Sequence, residues 1–131
     1  MHKLRVLIVD DDELVCAQLS SLLTEAGHLS HSLPSAIGAS RAILQHQIDV
    51  VAIDVMMPSL PGDKLAALLR QNPRFKNLGV ILISSRPADE LAKLAQEVSA
   101  DAVVTKAELR SQFVDAVALA ARLRGKGSLP G

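Results

Sequence analysis

The chain has 131 residues, 49% of them hydrophobic and 2% aromatic, with 14 basic and 14 acidic side chains and a formal net charge of zero. That length suits one domain whose core is built from Leu, Ile, Val and Ala. The neutral balance, two Phe (Phe75 and Phe113) and the lack of Trp or Tyr argue against direct nucleic-acid binding, which draws on basic excess or stacking aromatics.

Short apolar runs alternate with amphipathic stretches. Leu4–Val9 reads as a strand. Asp12–Ala26 reads as a helix with Val15, Leu19, Leu22, Leu23 and Ala26 along one stripe, and Gly27 stands where it would stop. Leu29–Leu33 alternates apolar and polar residues, a second strand, and Ser35–His46 follows as a weaker helix. Asp49–Ile53 is a third strand and Asp63–Gln71 a helix carrying Leu65, Leu68 and Leu69. Val80–Ile83 is a fourth strand. Pro87 suits a first helical position, opening a helix with Leu91, Leu94, Ala95 and Val98. Ala102–Thr105 is the last strand and Ala107–Arg124 the last helix, striped by Leu109, Phe113, Val117 and Ala120.

Five strand–helix units in series predict an α/β fold with a parallel sheet and helices on both faces. Four strands are almost continuously apolar, as befits strands covered on both sides. The second is polar at alternate residues, which places it at an edge and gives a five-stranded, doubly wound sheet of order 2-1-3-4-5. One domain over 1–124 is expected. Gly125–Gly131, GKGSLPG, is read as a flexible tail or the start of a linker. The single cysteine, Cys16, excludes an internal disulfide and fits a reducing compartment. The apolar run Val6–Val9 is too short for a signal peptide, and no segment approaches the ~18 apolar residues of a membrane span. A cytoplasmic protein without membrane association is the expectation.

In such a sheet, sites form beyond the carboxyl ends of the strands, where strand order reverses. Asp10 and Asp11 follow the first strand, Asp54 the third, Ser84 and Ser85 the fourth and Lys106 the fifth. Each has an ordinary alternative: one residue of Asp10–Asp12 suits a helix N-cap, Asp54 a turn, and Ser84 and Lys106 the surface. Together they bring three carboxylates, a hydroxyl and an ammonium into one crevice. Converging carboxylates repel one another unless a cation resolves them, and a hard divalent ion such as Mg²⁺ takes oxygen ligands of this kind. A carboxylate can also attack a phosphoryl group to form an acyl phosphate. Asp54, between the acidic pair and the Ser84–Lys106 side, is the candidate nucleophile.

The stretches LRVLIVDDDE at 4–13, VVAIDVMMPSLPG at 50–62, VILISSR at 80–86 and ADAVVTK at 100–106 resemble, in this order, the receiver domains of two-component response regulators, over about residues 3–124. The resemblance implies a CheY-like, flavodoxin-like fold. It implies that Asp10 and Asp11 hold Mg²⁺ (or Mn²⁺) with Asp54 and the backbone carbonyl of Met56. Asp54 would be the phosphoacceptor, and Ser84 and Lys106 would contact the phosphoryl group. Pro58 and Gly62 match turn residues after the acceptor. The implied donor is a histidine kinase or phosphotransfer protein, and the implied readers are an output protein, a covalently linked output domain or a second copy in a homodimer. The implied chemistry stops at self-phosphorylation and slow dephosphorylation, so the chain is not expected to be an enzyme.

Two departures stand out. Ala107 replaces the proline that usually follows the lysine, and Val103 replaces the Tyr or Phe that moves inward on activation in many members. Arg86 and Met56 should border the phosphoryl pocket. With no aromatic at 103, the switch is expected to rest on Ser84 and the loop after it. Other functions fit less well. Aspartyl phosphatases usually carry a second Asp two residues after the nucleophile, where this chain has Met56, and a flavin site would want a small polar phosphate loop where Asp10–Asp12 stand. A phosphorylation-independent interaction module is the alternative, opposed by the full set Asp10, Asp11, Asp54, Ser84 and Lys106. His2, His28, His31 and His46 read as scattered, Met56 and Met57 as packing, and Cys16 as buried and inert.

Overall fold

A computed structural model describes residues 3–58 and 60–125. In chain order, the elements are β1 (Arg5–Val9), α1 (Glu13–Glu25), β2 (Leu29–Leu33), α2 (Ala39–Gln45), β3 (Val50–Asp54), α3 (Gly62–Gln71), β4 (Gly79–Ser84), α4 (Ala88–Val98), β5 (Ala102–Thr105) and α5 (Leu109–Leu123). Short 3₁₀ turns at Pro73–Phe75 and Lys106–Glu108 precede β4 and α5. The five strands form one parallel sheet in the order β2-β1-β3-β4-β5.

The sheet divides the core in two. Leu7, Val9, Val51, Ile53, Val80 and Leu82 face a layer made by α2, α3 and α4, through residues such as Ile43, Leu65, Leu69 and Leu91. The alternate residues Val6, Ile8, Val50, Ala52, Ile81 and Ile83 face α1 and α5, through Leu19, Leu23, Phe113 and Val117. Both faces of the central strands are therefore buried, and β3 and β4 are buried at every residue. The alternating β2 is at the edge, where its polar side chains meet water or neighbouring polar groups: Ser30 shares a hydrogen bond with Ser20 at 2.8 Å.

Several boundaries differ from the sequence reading for local reasons. Helix α2 begins at Ala39 and not Ser35, because Gly38 turns the chain with φ +84° and Ser35 Oγ accepts the Ile37 N–H in a turn of its own. Asp49 precedes β3 and its carboxylate accepts the Arg5 N–H at 2.9 Å, while Asp54 belongs to the strand itself. Pro87 stands one residue before α4. The last helix starts at Leu109, after the Lys106–Glu108 turn. The four histidines are not all scattered: the rings of His31 on β2 and His46 at the end of α2 stack at 3.8 Å. The tail reading falls, beyond Gly125, outside the described residues. Among the described residues, no helix is long and apolar enough to cross a membrane.

Candidate functional site

The site is assembled from strand ends. β1 delivers Asp10, whose backbone N–H donates to the Leu33 carbonyl of β2 at 3.0 Å. Asp10 Oδ1 accepts the Asp12 N–H at 2.9 Å, and Asp12 in turn caps α1 by accepting from Leu14 and Val15. One residue of the acidic triplet thus serves the helix, which leaves Asp10 and exposed Asp11 directed to other work. β3 delivers Asp54, whose Oδ1 accepts the Met56 N–H at 3.1 Å. β4 delivers Ser84, whose Oγ accepts the Arg86 N–H at 3.1 Å. Lys106 follows β5 directly, through the register that pairs Ser84 with Thr105.

Asp10 and Asp54 are each 2% exposed and Ser84 is fully buried. Oxygens of Asp10, Asp11 and Asp54 lie within 4.8 Å of one another. Lys106 Nζ stands 3.6 Å from both Asp10 Oδ2 and Asp54 Oδ2. That is an ion-pair distance, longer than a hydrogen bond. Asp10 Oδ2 accordingly has no hydrogen-bond partner among the described residues although it is buried. Burial pushes the Asp10 carboxyl above its ordinary value; Asp54 and Asp11 push the same way, against the Asp12 N–H and Lys106. A buried, unsatisfied carboxylate oxygen among like charges is costly unless a cation completes it. Three hard oxygen donors suit a divalent ion such as Mg²⁺.

The structure thus brings Asp10, Asp11, Asp54 and Lys106 together, with Ser84 at the adjoining strand end. Met56, whose N–H already orients Asp54, has an exposed side chain. Gly62 does more than turn the chain. It opens α3 against the back of Asp54, and a Cβ there would lie 2.7 Å from the Asp54 carbonyl carbon and overlap its oxygen. Cys16 is half-buried, its Sγ donating to the Asp10 carbonyl at 3.4 Å, so it lies nearer the site than a core thiol would. Burial and then Asp10 push that thiol up, which keeps it protonated and poorly reactive.

The family model described as response regulator receiver domain matches residues 6–118. The chain belongs to this family. The receiver domain is 32% identical to the gliding motility regulatory protein of Myxococcus xanthus over 82% of this chain and 14% of that protein. It is 25% identical to protein PilG of Pseudomonas aeruginosa over 87% of this chain and 84% of PilG. Among curated relatives, the receiver domain also spans 39% of a protein-glutamate methylesterase/protein-glutamine glutaminase of Paraburkholderia xenovorans, at 29% identity. It thus corresponds to a minor part of some relatives and to most of another. The receiver domain of Francisella response regulator 1452 superposes with a TM-score of 0.81 at 25% identity, covering 92% of this chain and 98% of that one. Chemotaxis protein CheY4 of Vibrio cholerae shares the fold, with a TM-score of 0.80 at 20% identity over 88% of this chain and 97% of that one.

Within the receiver domain, the departures have local consequences. No cis peptide occurs among the described residues, and Lys106-Ala107-Glu108 forms a 3₁₀ turn leading into α5. Val103 is half-buried and packs against the α4 side of the core. A β-branched valine has no ring to swing.

Proposed function

We propose that this receiver domain is a phosphoacceptor switch in two-component or phosphorelay signalling, with Asp54 as the acceptor. The observation that carries the proposal is the trio of carboxylates within 4.8 Å of one another, with Lys106 3.6 Å from two of them and one buried oxygen without a hydrogen-bond partner among the described residues. The donor would be a histidine kinase or phosphotransfer protein. The P–N bond of its phosphohistidine breaks as an Asp54 carboxylate oxygen forms the new P–O bond, and the imidazole leaves with the electron pair.

Asp10, Asp11, Asp54 and the Met56 carbonyl would hold Mg²⁺ or Mn²⁺. Bound there, the ion supplies charge neutralisation for the transferring oxygens. The Met56 N–H holds Asp54 by Oδ1. Lys106 supplies a positive charge beside the acceptor. Ser84 offers a buried hydroxyl as donor, and its Oγ can go on accepting the Arg86 N–H while it donates. Drawing Ser84 and Lys106 toward new phosphoryl oxygens would pull on β4, β5 and the loops before α4 and α5, shifting a two-state equilibrium. With Val103 in place of an aromatic ring, Ser84 and the 85–87 loop would transmit that shift. The reader would be a separate output protein, a linked output domain or a second copy, and apart from its own phosphorylation and slow dephosphorylation the domain would catalyse nothing.

Intact mass after incubation with Mg²⁺ and acetyl phosphate or phosphoramidate tests the reading. The expected gain is one phosphoryl group, ~80 Da, lost in Asp54→Asn and in EDTA. Full labelling of Asp54→Asn would put the acceptor elsewhere. Failure of the wild-type chain to label, together with Mg²⁺ binding no tighter than in Asp10→Asn, would leave a phosphorylation-independent module.

A further inference from the structure

The charges of this neutral chain are unevenly distributed. Asp10, Asp11, Asp12, Glu13, Asp54 and Asp63 collect at the carboxyl ends of the strands. At the opposite end of the sheet, a cleft of about 590 Å³ opens between the end of α2 and the turn before β4. Its walls include Ile43, Ile48, Phe75 and Leu78, all buried core residues whose edges form an apolar floor. Among the described residues, three cations, Lys3, Arg5 and Arg74, line it against a single carboxylate, Asp49, which accepts the Arg5 N–H at 2.9 Å. The Arg5 guanidinium is steadied by Gln47, to whose Oε1 it donates at 2.9 Å.

We infer that this cleft is a second binding site, for a small molecule that carries a carboxylate, sulfonate or phosphate on an apolar body. Volume, floor and rim each contribute. The volume falls in the range of small-ligand sites, which combine apolar lining with a few polar groups that fix orientation. The floor offers apolar contact. The rim supplies cationic donors that attract the anionic group. The site shares no residue with that crevice, so the inference stands apart from the phosphoacceptor reading.

Anilinonaphthalene sulfonate, an anion on an apolar body, is a direct probe when titrated into the isotope-labelled full chain. Saturable one-site amide shifts confined to residues 3–5, 43–49 and 74–78 are expected. The uncharged analogue N-phenylnaphthylamine should bind more weakly, and Arg74→Glu should weaken the sulfonate about tenfold. Lys3→Glu is an independent second variant with the same expected direction, whereas Arg110→Glu, on α5, should leave affinity unchanged. An unaltered thermal melt certifies each fold. Shifts that fail to saturate or map elsewhere, or wild-type affinity for the sulfonate in both charge-reversed cleft variants, would overturn the inference.

Discussion

The Gly62 N–H donates to the Val55 carbonyl at 3.1 Å, which seats the first turn of α3 directly behind Asp54. A methyl group at this position would lie 2.7 Å from the Asp54 carbonyl carbon and 2.8 Å from Ile53 Cγ2. Both neighbours are buried and one is backbone, so neither yields cheaply. Gly62→Ala should therefore either lift α3 or push Asp54 out of line, at a cost of about 1–3 kcal/mol for overpacking. Misplacing a reacting carboxylate by an ångström can cost on the order of a hundredfold in rate. Thermal melts and the rate of phosphoryl labelling should both fall. Labelling at the wild-type rate would show that the close approach does not govern Asp54. In the sequence Gly62 reads only as a turn residue, because a run of letters cannot show what would occupy the space of a missing Cβ.

At the scale of elements, one ionic cluster ties four segments together beneath the sheet. Arg70 of α3 pairs with Asp101, and donates to the Leu78 and Ser99 carbonyls at 2.7 and 2.9 Å. Asp101 also accepts from the Val80 N–H and from Arg124 at the end of α5, each at 2.9 Å. Burial pushes the Arg70 guanidinium down and Asp101 pulls it back, so the pair is mutually dependent. Asp101→Ala would strand a buried guanidinium and free the Val80 N–H. A loss of about 3–5 kcal/mol is expected by urea denaturation, with labelling of Asp54 intact below the unfolding transition.

The stacked His31 and His46 rings make a different kind of contact. Burial, then His46 and Arg5, push His31 below its ordinary value. The native state therefore binds fewer protons here than the unfolded chain, and stability should fall as pH drops below the ordinary histidine range near ~6.5. His31→Asn should show a smaller loss of urea midpoint between neutral and mildly acid pH. An equal loss in both proteins would assign the trend to other groups.

Across the whole molecule, what the sequence revealed and what it hid follow a physical pattern. Strand burial writes itself as apolar runs, so the fully buried β3 and β4 and the alternating edge strand β2 were legible, and with them the order of the sheet. Site geometry was legible because Asp10, Asp54 and Lys106 each sit at or just beyond a strand's carboxyl end, and the sheet makes those ends neighbours. Side-chain pairings between remote segments leave no periodic mark. Arg70–Asp101 and His31–His46 were invisible for that reason, and the start of α2 was misread because Ala36 and Ile37 continue an apolar pattern that Gly38 interrupts.

The same partition of forces governs stability, because the Asp10 carboxylate is held in place by a fold that is better off without its charge. Its folded value is raised, so the native state binds more protons than the unfolded chain, and stability is lost as pH climbs through that raised value. At neutral pH the ionised group is a net cost. Asp10→Asn keeps an acceptor for the Asp12 N–H and removes the charge, so in EDTA its melting temperature should exceed that of the wild type. Adding Mg²⁺ should reverse the order. An ion that binds only the folded state stabilises it by mass action, about 2.7 kcal/mol at a hundredfold excess over Kd, and the variant lacks one of the carboxylates proposed to hold it. Differential scanning calorimetry with and without Mg²⁺ distinguishes the cases. Crossing melting temperatures mean that Asp10 trades stability for metal affinity. Parallel ones mean that Asp10 contributes nothing to metal binding, and a wild type that melts no lower than the variant in EDTA means that Lys106, at 3.6 Å, already compensates the charge.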